Sequence, residues 1–80
     1  MELFKGKVVC PRCDGNGLIY KAKIRELDIN VFLCDECEAM WQEHSIITLN
    51  SFQDFSTFLD GNGLSYNDVQ LFDLEYEWYK

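Results

Sequence analysis

Positive charge is what the second half of this chain lacks. Residues 41–80 hold one lysine against seven Asp/Glu, a net of −6, whereas residues 1–40 hold six Lys/Arg against seven Asp/Glu. The whole chain carries −7. Such a surface repels phosphate backbones and attracts basic partners. Long apolar runs are missing too. None approaches the roughly 18 residues of a membrane helix, and the opening MELFKGKVV is too short and too charged for a secretory leader. The chain is therefore expected to be cytoplasmic, with its thiols reduced. A catalytic triad, a phosphate-cradling loop and a metal site with an open position are also absent, so an enzyme is not expected.

Eighty residues allow one domain, 1–80. A core of this size supplies only roughly 3–5 kcal/mol of net stability, so a further staple is expected. The four cysteines are the candidate. Cys10, Cys13, Cys34 and Cys37 form C-x2-C-x20-C-x2-C. A two-residue gap lets both sulfurs of a tight turn converge on one ion, and the long gap leaves room for a hairpin. Zinc accepts four thiolates tetrahedrally, and closing such a site contributes on the order of 10–16 kcal/mol to folding. A structural Zn2+ on these four residues is the expectation. Iron uses similar thiolate pairs. A redox dithiol needs one C-x-x-C near a βαβ pattern, and disulfides need an oxidising compartment; the sequence points to neither.

The two pairs resemble a zinc ribbon over about residues 8–41. That likeness implies two cysteine-bearing turns at the ends of a small antiparallel sheet, gripping one ion. CPRCDGNG is also similar to the C-x-x-C-x-G-x-G unit in the cysteine-rich domain of a heat-shock chaperone family. That family strings four units together; this chain has one, and its CDECEAMW lacks both glycines. In size and charge the chain resembles the small acidic immunity proteins that neutralise bacterial toxins.

Around the ligands, Pro11 restrains the first turn, and Gly15 and Gly17 permit positive φ and bring amides toward the sulfurs. Arg12 can soften the negative charge of a tetrathiolate site, and Trp41 can cap it against water or serve as a core aromatic. His44 is a surface or interface histidine in this reading, since four thiolates complete the metal set.

GLIYKAKI (17–24) alternates apolar and basic residues as a half-buried strand. RELD turns the chain, and INVFLC returns to the third ligand. MWQEHSIITL (40–49) is expected to add a third strand. Phe52, Phe55, Phe58 and Leu59 then share one face of a helix over about 51–60, capped by Asn50 or Ser51 and ended by Gly61. DGNGL occurs at 14–18 and 60–64 as turn chemistry; the second copy places Leu64 and Ser65 where a calcium loop needs an oxygen ligand and a glycine. Ser65 and Asp68 resemble a capping box. From Phe72 the chain alternates strictly, with Leu74, Tyr76 and Trp78 against Asp73, Glu75 and Glu77, which predicts an acidic C-terminal strand.

The expected fold is α+β: a zinc ribbon with a small antiparallel sheet and its extension (1–49), then an amphipathic helix and the acidic strand (50–80). The expected function is a non-catalytic binding module that neutralises a basic partner, such as a nuclease toxin. The candidate contacts are Asp68, Asp73, Glu75, Tyr76, Glu77 and Trp78. The alternative is a ribbon that binds nucleic acid as a transcription or translation accessory factor, using Lys5, Lys7, Arg12, Lys21, Lys23 and Arg25.

Overall fold

The computed structural model describes residues 3–4, 7–13, 16–43 and 45–78. Lys5, Gly15 and His44 lie outside the described residues. Strands β1 (Leu3–Phe4), β2 (Lys7–Val9), β3 (Leu18–Ile24), β4 (Ile29–Cys34), β5 (Ala39–Gln42) and β6 (Gln53–Asp54) are followed by helix α1 (Phe55–Gly61) and strand β7 (Leu71–Glu75). A single 3-10 turn, Tyr66–Asp68, sits between α1 and β7. Neighbouring strands are antiparallel, in the order β1-β2-β3-β4-β5-β6. Among the described residues, the antiparallel sheet and one short α-helix agree with the α+β expectation.

β3 organises the sheet. One flank pairs along its length with β4, from Ile19↔Cys34 to Ile24↔Ile29. The other flank is divided: β2 takes Leu18 and Ile19, and β7 takes Lys21, Lys23 and Ile24. Residues 25–28 close the β3–β4 hairpin as expected. Asp28 sits at φ 52 and its amide donates to the Ile24 carbonyl at 2.8 Å; Asp tolerates the left-handed region better than most residues do.

Both faces of the sheet are covered. Successive strand residues point to opposite sides, and the buried residues sort accordingly. Ile19, Phe32, Cys34, Ala39 and Trp41 form one cluster with Val8 and Cys10, over which Ile47, Phe52 and Trp78 pack. Ala22, Ile24, Val31, Leu33 and Met40 form the other, covered by Phe55 and Leu59 of α1 and by Leu64, Val69 and Leu71. This explains why VFLC in β4 is apolar without interruption, since a strand covered on both sides has no solvent face to alternate with. Lys21 and Lys23 share the face of Ile19, but they are half-buried and paired with Glu43 and Asp28 at 3.4 and 3.0 Å.

Two elements are shorter than the sequence suggests. β5 ends at Gln42 instead of running to residue 49. The Ser51 hydroxyl donates to the Ile46 carbonyl at 2.6 Å and accepts the Thr48 amide at 3.3 Å, while Trp41 Nε1 donates to the Thr48 carbonyl at 3.1 Å. Those bonds fold residues 46–51 into a closed loop. Helix α1 begins at Phe55, not near 51, because Gln53 and Asp54 are extended against Met40 and Ala39. Neither Asn50 nor Ser51 caps it. Phe52 consequently leaves the helical stripe and joins the cysteine-side cluster.

The helix also ends later than expected. Asn62 follows its last residue, and Gly63 takes φ 72. The Leu64 amide bonds to the Leu59 carbonyl at 2.9 Å and the Gly63 amide to the Asp60 carbonyl at 3.0 Å. This is the Schellman arrangement, with Leu64 packed beside Leu59. Gly63, not Gly61, is the terminator. Beyond it, the Ser65 amide and hydroxyl both donate to Asp68 Oδ2 at 3.0 Å, as the capping pattern predicts.

β7 covers Leu71–Glu75, and residues 76–78 turn. Its alternation is broken. Lys23 faces Phe72 and Lys21 faces Glu75, so three steps on β7 oppose two on β3. Asp73 absorbs the extra residue at φ 56, a β-bulge. The shift separates the residues that strict alternation would put on one acidic face.

These caps give a direct test. Gly61 lies in the helix with open space where a Cβ would stand, so Gly61→Ala is expected to stabilise by up to about 1 kcal/mol. Gly63→Ala forces a Cβ into the left-handed region and is expected to destabilise by about 1 kcal/mol. Urea midpoints of the two variants should move in opposite directions.

Candidate metal centre

β2 delivers Cys10 directly after Val9, and β4 ends on Cys34. Val8 and Cys34 both pair with Ile19, on opposite flanks of β3. Both cysteine turns therefore leave the sheet at the same end. All four Sγ atoms lie within 4.8 Å of one another. Across the turns, Cys10 and Cys37 are 3.8 Å apart and Cys13 and Cys34 are 3.6 Å apart. A tetrahedron of sulfurs about 2.3 Å from a central ion has edges of about 3.8 Å. The four thiols are free, and the cluster can hold a metal ion.

The backbone is arranged around the sulfurs in the same way at both turns. The amides of Glu36 and Cys37 point at Cys34 Sγ, each at 3.4 Å, and those of Cys13 and Arg12 approach Cys10. These are the second and third residues after the first cysteine of each pair. Such donors stabilise a thiolate over a thiol. Burial opposes them. It pushes the Cys10 and Cys34 thiols up, more than their amide partners pull them down. At Cys37 burial also pushes upward, but the Ala39 amide and the three neighbouring cysteines outweigh it and the thiol is lowered. Four sulfurs packed this closely cannot all be charged without a cation among them, and a bound dication would displace their protons.

The second turn is also where the rest of the chain attaches. Asp35 Oδ1 accepts the Leu18 amide at 2.9 Å, and Asp35 Oδ2 accepts the Tyr76 hydroxyl at 3.0 Å. The Glu38 carbonyl accepts the Phe55 amide at 2.7 Å, its carboxylate accepts the Ser56 hydroxyl at 3.2 Å, and the Tyr66 hydroxyl donates to the same carboxylate. Gly17 lies against the turn so closely that a Cβ would strike Cys34 Sγ and stand 3.0 Å from Glu36 Cβ. Its φ is not positive: among the described residues Gly63 is the glycine in that region. Gly17 is needed for close approach, not for a left-handed turn. Arg12 tethers the first turn instead of neutralising the sulfurs, pairing with Asp54 at 3.2 Å and lying 4.7 Å from the Phe52 ring centre. Trp41 is 1% exposed within the cysteine-side cluster.

Asp35 and Glu38 were not candidates from sequence, because acidic residues beside a cysteine pair look like solvated charge. The signal available was their position, one inside the turn and one just after it.

The six candidate contact residues do not share a face. Asp68 is engaged by Ser65. Asp73 is exposed at the bulge, and Glu75 accepts the Glu77 amide at 2.9 Å. Tyr76 folds inward onto Asp35, with its ring 5.3 Å from that of Tyr20. Trp78 packs on Phe32 at 4.3 Å, and its Nε1 donates to the Ile19 carbonyl at 3.1 Å. The basic residues are dispersed as well. Lys21, Lys23 and Arg12 are ion-paired, Arg25 donates to Gln70 Oε1 at 2.9 Å, and Lys7 Nζ stands 5.7 Å from the Tyr76 ring centre.

Comparison with protein families, with curated proteins and with solved structures finds no match. No helix among the described residues is long and apolar enough to cross a membrane.

Two measurements follow from this geometry. Gly17→Ala keeps all four cysteines but forces Cys34 Sγ and the second turn away from the first, and is expected to weaken metal binding about tenfold or more in competition with a chelator. Glu36→Ala, at an exposed side chain, should leave affinity within about twofold. Second, burial and then the Asp35 hydrogen bond push the Tyr76 phenol from its ordinary value of 10 up to about 12. The fold thus favours the protonated phenol, and that stabilisation is present below pH 10 and lost as pH rises toward 12. The stability difference between wild type and Tyr76→Phe should shrink across that interval in denaturant titrations at successive pH values.

Proposed function

We propose that this chain is a non-catalytic protein-binding module stapled by structural zinc, and that it acts as an acidic inhibitor of a basic protein such as a nuclease toxin. Zinc suits four thiolates at tetrahedral spacing because it imposes no directional preference. On this reading the two turns and their strands are a zinc ribbon, and all four sulfurs are occupied, which leaves no free thiolate for nucleophilic chemistry. A reduced tetrathiolate site fits a cytoplasmic location.

One observation carries the binding role. Twelve of the fourteen Asp/Glu, and none of the seven Lys/Arg, lie between residues 26 and 79. A tetrathiolate holding one dication adds a further −2. Carboxylates at this density steer association with a basic surface and occupy the place of phosphates in a nucleic-acid cleft. The ion pairs of Arg12, Lys21 and Lys23 weigh against the nucleic-acid alternative, because each of these cations already faces a carboxylate. With Tyr76 and Trp78 turned inward and Asp73, Glu75 and Glu77 dispersed by the bulge, these carboxylates and those of the second cysteine turn would act through their summed field and not as one contact face.

Elemental analysis is expected to give one zinc per chain, and chelation to unfold it. Retention on immobilised polylysine, but not on heparin, is expected at low salt. Replacing Asp73, Glu75 and Glu77 together by lysine should slow association with a basic protein partner about tenfold at low salt while altering dissociation little. Heparin retention that falls steeply with salt would overturn the assignment in favour of nucleic acid.

A further inference from the structure

A cavity of about 250 Å³ opens beside the second cysteine turn. Three aromatic residues, Tyr20, Phe55 and Tyr66, line it together with Glu38, Cys34 and Cys37. The remainder, Leu33 and Leu71, is apolar. Phe55 and Tyr66 stand as angled walls, with ring centres 5.6 Å apart and planes at 60°. Tyr66 is half exposed, so the cavity is open to solvent on that side.

Its chemistry is one-sided. The ionisable residues that line it are a carboxylic acid, two phenols and two thiols, with no lysine or arginine among them. A tetrathiolate site would make its cysteine wall more negative still. Anions are therefore repelled, and a cation is favoured both by the negative potential and by the ring faces. A divalent metal is a poor occupant, since hard cations take six or more oxygen ligands and one carboxylate lines the cavity. The volume falls below the roughly 300–1,000 Å³ typical of small-molecule sites, which fits a single side chain better than a metabolite.

The carboxylate also discriminates between the two basic side chains. Both Glu38 oxygens already accept a hydroxyl, one from Tyr66 and one from Ser56. Those bonds fix its orientation but occupy the paired acceptor edge that a guanidinium fork uses. A compact ammonium needs only one remaining lone pair, and its four-carbon stem matches the aromatic and leucine walls.

We propose that this cavity receives the side-chain ammonium of a lysine presented by the protein partner. The inference rests on the reading of the chain as a protein-binding module and names the anchor of that contact. Glu38 supplies the counter-charge, and the rings of Tyr20, Phe55 and Tyr66 enclose the stem and head.

The test uses Nα-acetyl-lysine methylamide as the probe, with Nα-acetyl-norleucine methylamide as its uncharged counterpart, titrated into the metal-loaded protein. Saturable shifts in the aromatic NMR signals of Tyr20, Phe55 and Tyr66 are expected with the lysine probe, at an affinity about tenfold above that of norleucine. Glu38→Gln should remove most of that preference while leaving norleucine binding within about twofold. Should that variant fold poorly, Tyr66→Leu, at a half-exposed ring, should weaken the lysine probe as well. Equal affinity for the two probes, or shifts spread away from these rings, would overturn the assignment. Polylysine distinguishes the two levels. A silent lysine probe with polylysine still retained at low salt removes the cavity and leaves the acidic surface standing. A saturable lysine probe without polylysine retention keeps the cavity and removes the broader reading.

Discussion

Four sulfur atoms held within 4.8 Å set the terms for the rest of the molecule. Left to themselves they are an awkward group to bury, because as thiolates they repel one another and as thiols they pack poorly around a common centre. The backbone places two amides at the first sulfur of each turn, an arrangement that is favourable once charge develops there. A cation shared by the four would reconcile the conflict, and its binding free energy would become folding free energy. Much else in the chain is attached to one of the two turns. β3 begins on Asp35, α1 and the 3-10 turn bond to Glu38, and the C-terminal segment reaches back to Asp35 through Tyr76. Order at the sulfurs is thereby transmitted to segments that contribute no ligand.

The sheet solves a different problem. A chain of eighty residues has little interior, yet this one covers both sides of its central strands. The cysteine side is covered mainly by loops and by the Trp78 ring, the other side by α1 and the segment leading into β7. Neither layer is thick. Each depends on a few large side chains, Trp41 and Phe32 on one face and Met40, Phe55 and Leu59 on the other, so truncation at any of them would be felt strongly.

Much of this was legible in the sequence, for identifiable reasons. The cysteine spacing is chemistry written directly in residue types, and the β3–β4 hairpin follows from alternation around a polar turn. The 65–68 cap is equally local. The errors share a cause as well. Phe52 fits a helical period with Phe55, but residues 53 and 54 are claimed by β5, a strand that ends eleven residues earlier. The run from Phe72 to Trp78 alternates perfectly, but Asp73 can adopt a left-handed conformation, and one bulge is enough to redistribute every side chain after it. Asp35 and Glu38 look like surface charge until the segments that bond to them are in place. Local pattern was sufficient where partners are near in sequence and insufficient where a distant strand decides.

The divided flank of β3 has a consequence for how the chain is made. Its first two positions are matched by residues only ten or so places upstream, but positions 21–24 are matched by residues 71–75. As the polypeptide leaves the ribosome, that stretch stays bare until residues 71–75 have emerged some fifty positions later. A nascent sheet with its middle strand half open is a template for unwanted pairing. Lys21 and Lys23 stand on that stretch, and lysines on an open edge disfavour such pairing in general.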